Sequence, residues 1–384
     1  MRTLRVLSIF GTRPEAVKMA PVVQALSRTP GIESRVCVTA QHRQMLDQVL
    51  NLFEITPDID LNLMRPNQSL AQLTSAIFDN LDPILAEIKP DWVLVQGDTT
   101  TVMAASLLAF YHRILVGHVE AGLRTNDRWQ PFPEEINRRV ASVIADLHFA
   151  PTEHSRQNLL KENVPANSIV VTGNPAIDAL QAIARLSPPA EVQSLLERLA
   201  IHPGGKQLVM ITAHRRENFG LPLEDICRAL RELAETYASR LELVYPVHLN
   251  PNVQEPVYRL LKDVPNITLM PPQDYLVMVH LLKHAVLVLT DSGGIQEEAT
   301  SLGIPTLVLR EVTERPEGVE AGVLKLVGTD THRIVSEARH LLEDEDAYRQ
   351  VASAANPFGD GHAAEHIVAA LLARAGESRS PGVI

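Results

Sequence analysis

Short apolar, β-branched runs alternate with longer amphipathic runs along most of this chain, and no other feature limits the fold as strongly. Residues 6–10, 34–40, 91–96, 114–119, 147–150 and 168–171 read as strands. Between them 15–27, 43–53, 70–88, 100–111, 134–144 and 154–162 read as helices. This alternation predicts a parallel sheet with helices on both faces. A polar, proline-containing stretch follows at 187–205, and then the pattern restarts. Strands are expected at 207–213, 242–247, 267–270, 286–290 and 305–309, and helices at 223–237, 253–261, 275–284 and 295–302. The expected fold class is α/β, with two doubly wound Rossmann-like domains, 1–175 and 176–359, facing a cleft. A last helix, 360–376, is expected to cross back to the first domain, and 377–384 to be a flexible tail.

The length of 384 residues suits two domains of roughly 100–200 residues each. A formal net charge of −11 disfavours nucleic acid or an anionic membrane surface as partner. Any anionic ligand must therefore meet cations gathered locally. Cys37 and Cys227 are too few for a disulfide framework and lie in apolar-periodic stretches, so both are expected in the core. The apolar run at 6–10 is shorter than the roughly 7–15 residues of a signal-peptide core. No segment approaches the roughly 20 apolar residues of a membrane span. A soluble, unprocessed, cytoplasmic protein is expected.

Ligands of doubly wound sheets bind beyond the carboxyl ends of the strands, so motifs that follow strands are the candidates for chemistry. Gly11-Thr-Arg-Pro-Glu-Ala-Val-Lys18 follows the first strand and opens a helix. Its helix-start N–H groups, with Arg13 and Lys18, could face an anion; a plain turn with surface charges fits as well. In Gln96-Gly-Asp98-Thr, Asp98 could be an acid/base group or the N-cap of the next helix. His118-Val-Glu120 follows another strand. In Pro131-Phe-Pro-Glu134-Glu-Ile-Asn-Arg138-Arg, the spacing of four allows two solvated ion pairs worth about 0.2–0.5 kcal/mol each. It equally allows a functional carboxylate held by Arg138. His214-Arg215-Arg216-Glu217-Asn218 gathers three possible cations at one strand end, which suits a phosphate. Thr290-Asp-Ser292-Gly293-Gly294-Ile-Gln-Glu-Glu298 runs from a strand through two glycines into a helix, as a phosphate site would, with Glu298 placed for ribose hydroxyls. Arg315 lies in a loop near the same edge. No Cys/His cluster suggests a metal, and no cofactor is expected.

Together FGTRPEAVKMAP, QGDTTT, HVEAGLRT, PFPEEINRR, TAHRREN, YPVHLNP, LTDSGGIQEEA and TERPE resemble, in this order, the non-hydrolysing UDP-N-acetylglucosamine 2-epimerases. These are bacterial enzymes that make UDP-ManNAc. The resemblance implies a glycosyltransferase-B type fold, a homodimer and reversible C2 epimerisation of UDP-GlcNAc without a redox cofactor. UDP would leave to give a glycal and then add back, for cell-surface polysaccharide precursors. Asp98, Glu120 and Glu134, with His214, would be catalytic. Arg13, His214, Ser292, Gly293, Gly294 and Glu298 would contact UDP, with Gln273 near the uracil. Met278 stands where the family often has an aromatic residue. Lys18, Arg138 and Arg315 would also reach the ligand. Gln41, Gln44, Glu134, Arg216 and His248 match positions that bind UDP-GlcNAc as an activator in several bacterial members; interdomain hydrogen bonding is their blander role. A glycosyltransferase of the same fold, a hydrolysing epimerase and a nucleotide-sugar sensor are the rival classes.

Overall fold

In a computed structural model the chain divides into two compact units, residues 1–179 with 359–384 and residues 180–358. Residues 3–39, 43–65 and 68–375 are described, without the side chains of 43–45. The expected tail at 377–384 and Gln41 lie outside the described residues, and the side chain of Gln44 is not described.

Unit 1 runs β1 (Leu4–Phe10), α1 (Arg13–Arg28), β2 (Ile32–Val38), α2 (Arg43–Leu52), β3 (Ile59–Asp60), α3 (Leu70–Ile88) and β4 (Trp92–Gln96). It continues with α4 (Thr100–Tyr111), β5 (Leu115–Val119), α5 (Glu134–Ile144), β6 (Leu147–Ala150), α6 (Glu153–Lys161), β7 (Ile169–Val171) and the first half of α7 (Pro175–Ala184), within which the division at residue 179 falls. Its strands are parallel in the order β3-β2-β1-β4-β5-β6-β7. Strands buried on both faces carry continuous apolar sequence, as in β4, where all five residues are buried. The strand order reverses between β1 and β4, and a crevice opens there at the carboxyl edge of such sheets.

Unit 2 runs α8 (Ala190–Arg198), β8 (Gln207–Thr212), α9 (Leu221–Thr236), β9 (Leu241–Pro246), α10 (Pro251–Leu261), β10 (Ile267–Met270), α11 (Tyr275–Lys283) and β11 (Ala285–Thr290). Then follow α12 (Gly293–Ser301), β12 (Thr306–Val308), α13 (Pro316–Glu320), β13 (Leu324–Leu326), α14 (Thr331–Glu343) and α15 (Glu345–Ala352). The order is β10-β9-β8-β11-β12-β13, again parallel, with the reversal between β8 and β11. The two-fold Rossmann-like α/β plan expected from the sequence is present.

Several elements depart from the expectation. The polar stretch at 187–205 contains α8, because Val192, Leu195 and Leu196 recur at helical spacing and are buried. Segment β3 is an edge piece of two residues, too short to show a period. Between 310 and 359 the chain forms α13, β13, α14 and α15, none of them assigned from sequence. Both Cys37 and Cys227 are buried, and burial pushes each thiol up to about 12.

The last helix, α16 (Ala363–Ala373), packs against α1 within unit 1. No side chain of its own caps it. The buried Asp178 does so instead, accepting from the N–H groups of Ala363 at 3.2 Å and Ala364 at 2.8 Å. A carboxylate at a helix start meets both unpaired donors and the positive end of the helix. Asp178→Ala should therefore lower stability by about 1–3 kcal/mol, seen as a depressed midpoint in thermal or urea unfolding. An unchanged midpoint would mean that apolar packing alone holds this helix.

Candidate active site

At the carboxyl edge of unit 1, Glu120 follows β5 with φ 61°, a left-handed backbone that is uncommon for a residue with a side chain. Such strain persists where surrounding contacts over-determine the conformation. Here they are plain. The Lys18 ammonium reaches both carboxylate oxygens of Glu120, at 2.6 and 2.7 Å. The Gln96 amide donates to Oε2 and Asn174 donates to Oε1 at 3.2 Å. Four elements, α1, β4, β5 and the end of β7, thus converge on one carboxylate that is 7% exposed. Below it, the ring of His118 donates from Nε2 to the Gly97 carbonyl at 2.7 Å. Burial is the main cause that lowers this imidazole to about 4, so it is neutral near pH 7 and braces the strand ends.

Asp98 is not the N-cap of α4. That role falls to Thr99, whose hydroxyl accepts from Val102 N–H. Asp98 is ion-paired with Arg138 from α5, and Asn137 donates to its backbone carbonyl at 3.0 Å. Arg138 does not pair with Glu134, the partner suggested by the spacing of four. Its guanidinium turns to Asp98 and to the fully buried Glu135, 3.4 Å away. Glu135 also accepts from Thr125 N–H at 3.1 Å and Arg139 at 3.0 Å. Glu134 opens α5, half-buried, with no side-chain partner among the described residues.

The start of α1 also departs from expectation. Glu15 closes a capping box with Thr12 and accepts from the N–H groups of Gly11 at 2.9 Å and Thr12 at 2.7 Å. Thr99 donates to its other oxygen at 2.6 Å. The anion that the helix start attracts is thus the chain's own. Burial raises the Glu15 pKa, and these hydrogen bonds oppose the rise. Arg13 is half-buried with no partner among the described residues.

At the carboxyl edge of unit 2, the fully buried Asp291 organises the basic turn after β8. Its Oδ2 accepts from the N–H groups of His214 and Arg215, each at 2.8 Å, and from Asn218 at 3.0 Å. The rings of His214 and His248 stack at 5.3 Å and 15°. Ser292 is the N-cap of α12, but its hydroxyl does not cap the helix. A Cβ on Gly293 would stand 3.8 Å from a guanidinium nitrogen of Arg215 and of Arg315 alike. Two cations and an uncapped helix start therefore meet at one glycine, an arrangement suited to a diphosphate. Arg315 is fixed by Glu297, and its loop by the Thr313 hydroxyl on Gln296 at 2.6 Å. Met278 is half-buried against the core, Gln273 donates to the Pro271 carbonyl at 2.6 Å, and Gly294 is exposed. Arg216 and His248 are exposed, and Glu298 is half-buried on α12.

A family model described as UDP-N-acetylglucosamine 2-epimerase matches residues 24–372. The Yersinia pestis UDP-N-acetylglucosamine 2-epimerase is 56% identical over 370 residues, 96% of this chain and 98% of that one. The chain belongs to the UDP-N-acetylglucosamine 2-epimerase family. Its fold matches the Neisseria meningitidis UDP-GlcNAc 2-epimerase bound to UDP-GlcNAc with a TM-score of 0.85 and 49% identity, over 96% of this chain and all of that one. The Methanocaldococcus jannaschii UDP-GlcNAc 2-epimerase, in complex with UDP-GlcNAc and UDP, matches with a TM-score of 0.77 and 33% identity over 96% and 100%.

In this epimerase-family chain the motifs singled out from sequence fall into two sets, one at each sheet edge. Asp98, Glu120, Glu134, Arg138 and Lys18 share the edge of unit 1. His214, Ser292, Gly293, Gly294, Glu298 and Arg315 share that of unit 2. The groups that sequence reasoning missed hold others in place: Gln96 and Asn174 on Glu120, Glu135 on Arg138, Asp291 on the basic turn. Gln96, Glu135 and Asp291 lie inside motifs singled out at strand ends, but nothing in the sequence marked their partners; Asn174 had no signal at all. Lys18, expected to reach a ligand, makes its contact with Glu120. Lys18→Met keeps the stem and removes the ammonium, and it should cut turnover by about 10²-fold or more, as Glu120→Gln should. Near-normal turnover in Lys18→Met would mean that Gln96 and Asn174 suffice to hold the carboxylate.

Proposed function

We propose that this protein interconverts UDP-GlcNAc and UDP-ManNAc without releasing free sugar, as a non-hydrolysing 2-epimerase. The proton on C2 beside an amide nitrogen is barely acidic, so its direct removal is slow. Loss of UDP from C1 coupled to loss of that proton gives an enol-ether glycal, and each bond change assists the other. The observation that carries this reading is the carboxylate set of unit 1, Glu120 gripped by Lys18, Gln96 and Asn174 beside the Asp98–Arg138 pair. Asp98, Glu120 and Glu134 move the proton, an effect typically of about 10²–10⁴-fold. Arg13, His214, Arg315 and the α12 start at Ser292, Gly293 and Gly294 stabilise the departing diphosphate; one such preorganised donor is commonly worth about 3–4 kcal/mol. Glu298, Gln273 and Met278 hold the nucleoside. Return of the proton to the other face of C2, with re-addition of UDP, inverts that carbon.

The resemblance further supports a cytoplasmic homodimer that supplies precursors of cell-surface polysaccharide. It also supports an activator role for a second UDP-GlcNAc at Gln41, Gln44, Glu134, Arg216 and His248. The stack of His248 on His214 is a direct physical link between that set and the nucleotide set. Coupling between two such sites is typically about 1–3 kcal/mol.

Incubation of UDP-GlcNAc with the protein in deuterated water, with no acceptor, should yield UDP-ManNAc carrying deuterium at C2. ManNAc plus UDP would make it a hydrolysing enzyme, and absence of turnover would leave a transferase or a sensor. Progress curves from rigorously pure UDP-ManNAc should show a lag that a trace of UDP-GlcNAc removes. Immediate linear turnover would rule out the activator.

A further inference from the structure

Asp291 uses only half of its carboxylate. Oδ2 takes three hydrogen bonds, whereas Oδ1 has no hydrogen-bond partner among the described residues although the residue is fully buried. A buried acceptor left without a donor is destabilising. Its place at the end of β11 therefore calls for a donor that comes within reach when the site is used. The candidate is the ring of His214, whose Nδ1 stands 3.7 Å from Oδ1, just outside hydrogen-bond range. The other ring of the stacked pair is committed elsewhere. Nδ1 of His248 accepts from the Asn250 N–H at 3.1 Å. Of the two stacked rings, 5.3 Å apart, the one beside the carboxylate is His214, and the carboxylate favours a charge there.

We propose that binding of the ligand's diphosphate draws one proton from solvent onto His214, giving an imidazolium that donates from Nδ1 to Asp291 Oδ1 and from Nε2 to a phosphate oxygen. Asp291 is thereby a positioning residue that acts through His214. The inference rests on the nucleotide reading of this sheet edge.

The groups that face His214 define the balance. Burial lowers its pKa most, Asp291 raises it, and His248 and Arg215 lower it, so the free imidazole lies below its ordinary value. The negative charge of a bound diphosphate adds to that of Asp291 and reverses the balance. Between the free and the bound pKa, binding takes up as much as one proton. Across that window affinity falls as pH rises, by at most about tenfold per unit. Below the free pKa and above the bound pKa it is flat.

The test is titration calorimetry of UDP-GlcNAc into the full chain near pH 7.5, in buffers of different ionisation enthalpy. The diphosphate of UDP-GlcNAc is a diester with no titration near neutrality, and its epimerisation moves no net proton. The buffer-dependent heat therefore counts protons taken up by the protein. The wild-type chain should take up a measurable fraction of a proton per ligand, at most one. His214→Gln should abolish the uptake, and Asp291→Asn should abolish it while still melting cooperatively. No uptake by the wild type, or undiminished uptake in either variant, would overturn the proposal. If Asp291→Asn does not fold, the pH dependence of Kd decides, steep in the wild type and flat in His214→Gln, with equal slopes counting against it. Absence of any binding isotherm would instead remove the nucleotide reading itself.

Discussion

Taking a carboxylate out of water costs several kcal/mol unless donors surround it, and both sheet edges are shaped by how that demand is met. In unit 1, Glu15 gathers the backbone after β1 and the N-cap hydroxyl of α4 onto one side chain. Glu135 gathers Thr125, Arg138 and Arg139. In unit 2, Asp291 gathers the turn after β8. None of these three needs a ligand to be satisfied at the oxygens they use. They fix the turns beside Asp98 and His214. Removing one would leave buried donors unpaired and let several functional groups drift together, so losses at such sites should not add.

The two edges divide the chemistry by charge. Unit 1 presents carboxylates whose own cations, Lys18 and Arg138, hold them in place. Unit 2 presents cations at an uncapped helix start, with their counter-charges, Asp291 and Glu297, behind them. An acidic chain can thus offer a positive surface where an anion is to bind, because its local carboxylates serve as supports for guanidinium groups.

Much of this was legible in sequence. Strand runs such as 147–150 and 267–270 and helices such as 70–88 and 134–144 coincide with the observed elements, since apolar period and length decide them locally. The motifs at strand ends were legible because a doubly wound sheet gives those positions a common edge. What escaped was partnership across long separations. Lys18 meets Glu120 across 102 positions of chain, and Asn218 meets Asp291 across 73. No periodicity encodes such a pairing. The spacing of four between Glu134 and Arg138 misled for a related reason, because a local helix rule has no knowledge of Asp98 arriving from β4. Helix α12 starts at Gly293, two residues before its apolar pattern, because glycines carry no hydrophobic signal.

The position of α16 bears on how the molecule is made. This helix lies on α1 and buries Ile367, Val368 and Leu371 in unit 1, yet the whole of unit 2 is translated before it. On a ribosome that adds about 5–20 residues per second, the unit that emerges first waits longest for its last piece. Unit 2 can complete its sheet while α1 still shows the apolar face that α16 will cover. The nascent chain therefore carries an uncovered surface through most of its synthesis, and it loses that surface only after the final turns of helix have cleared the exit tunnel.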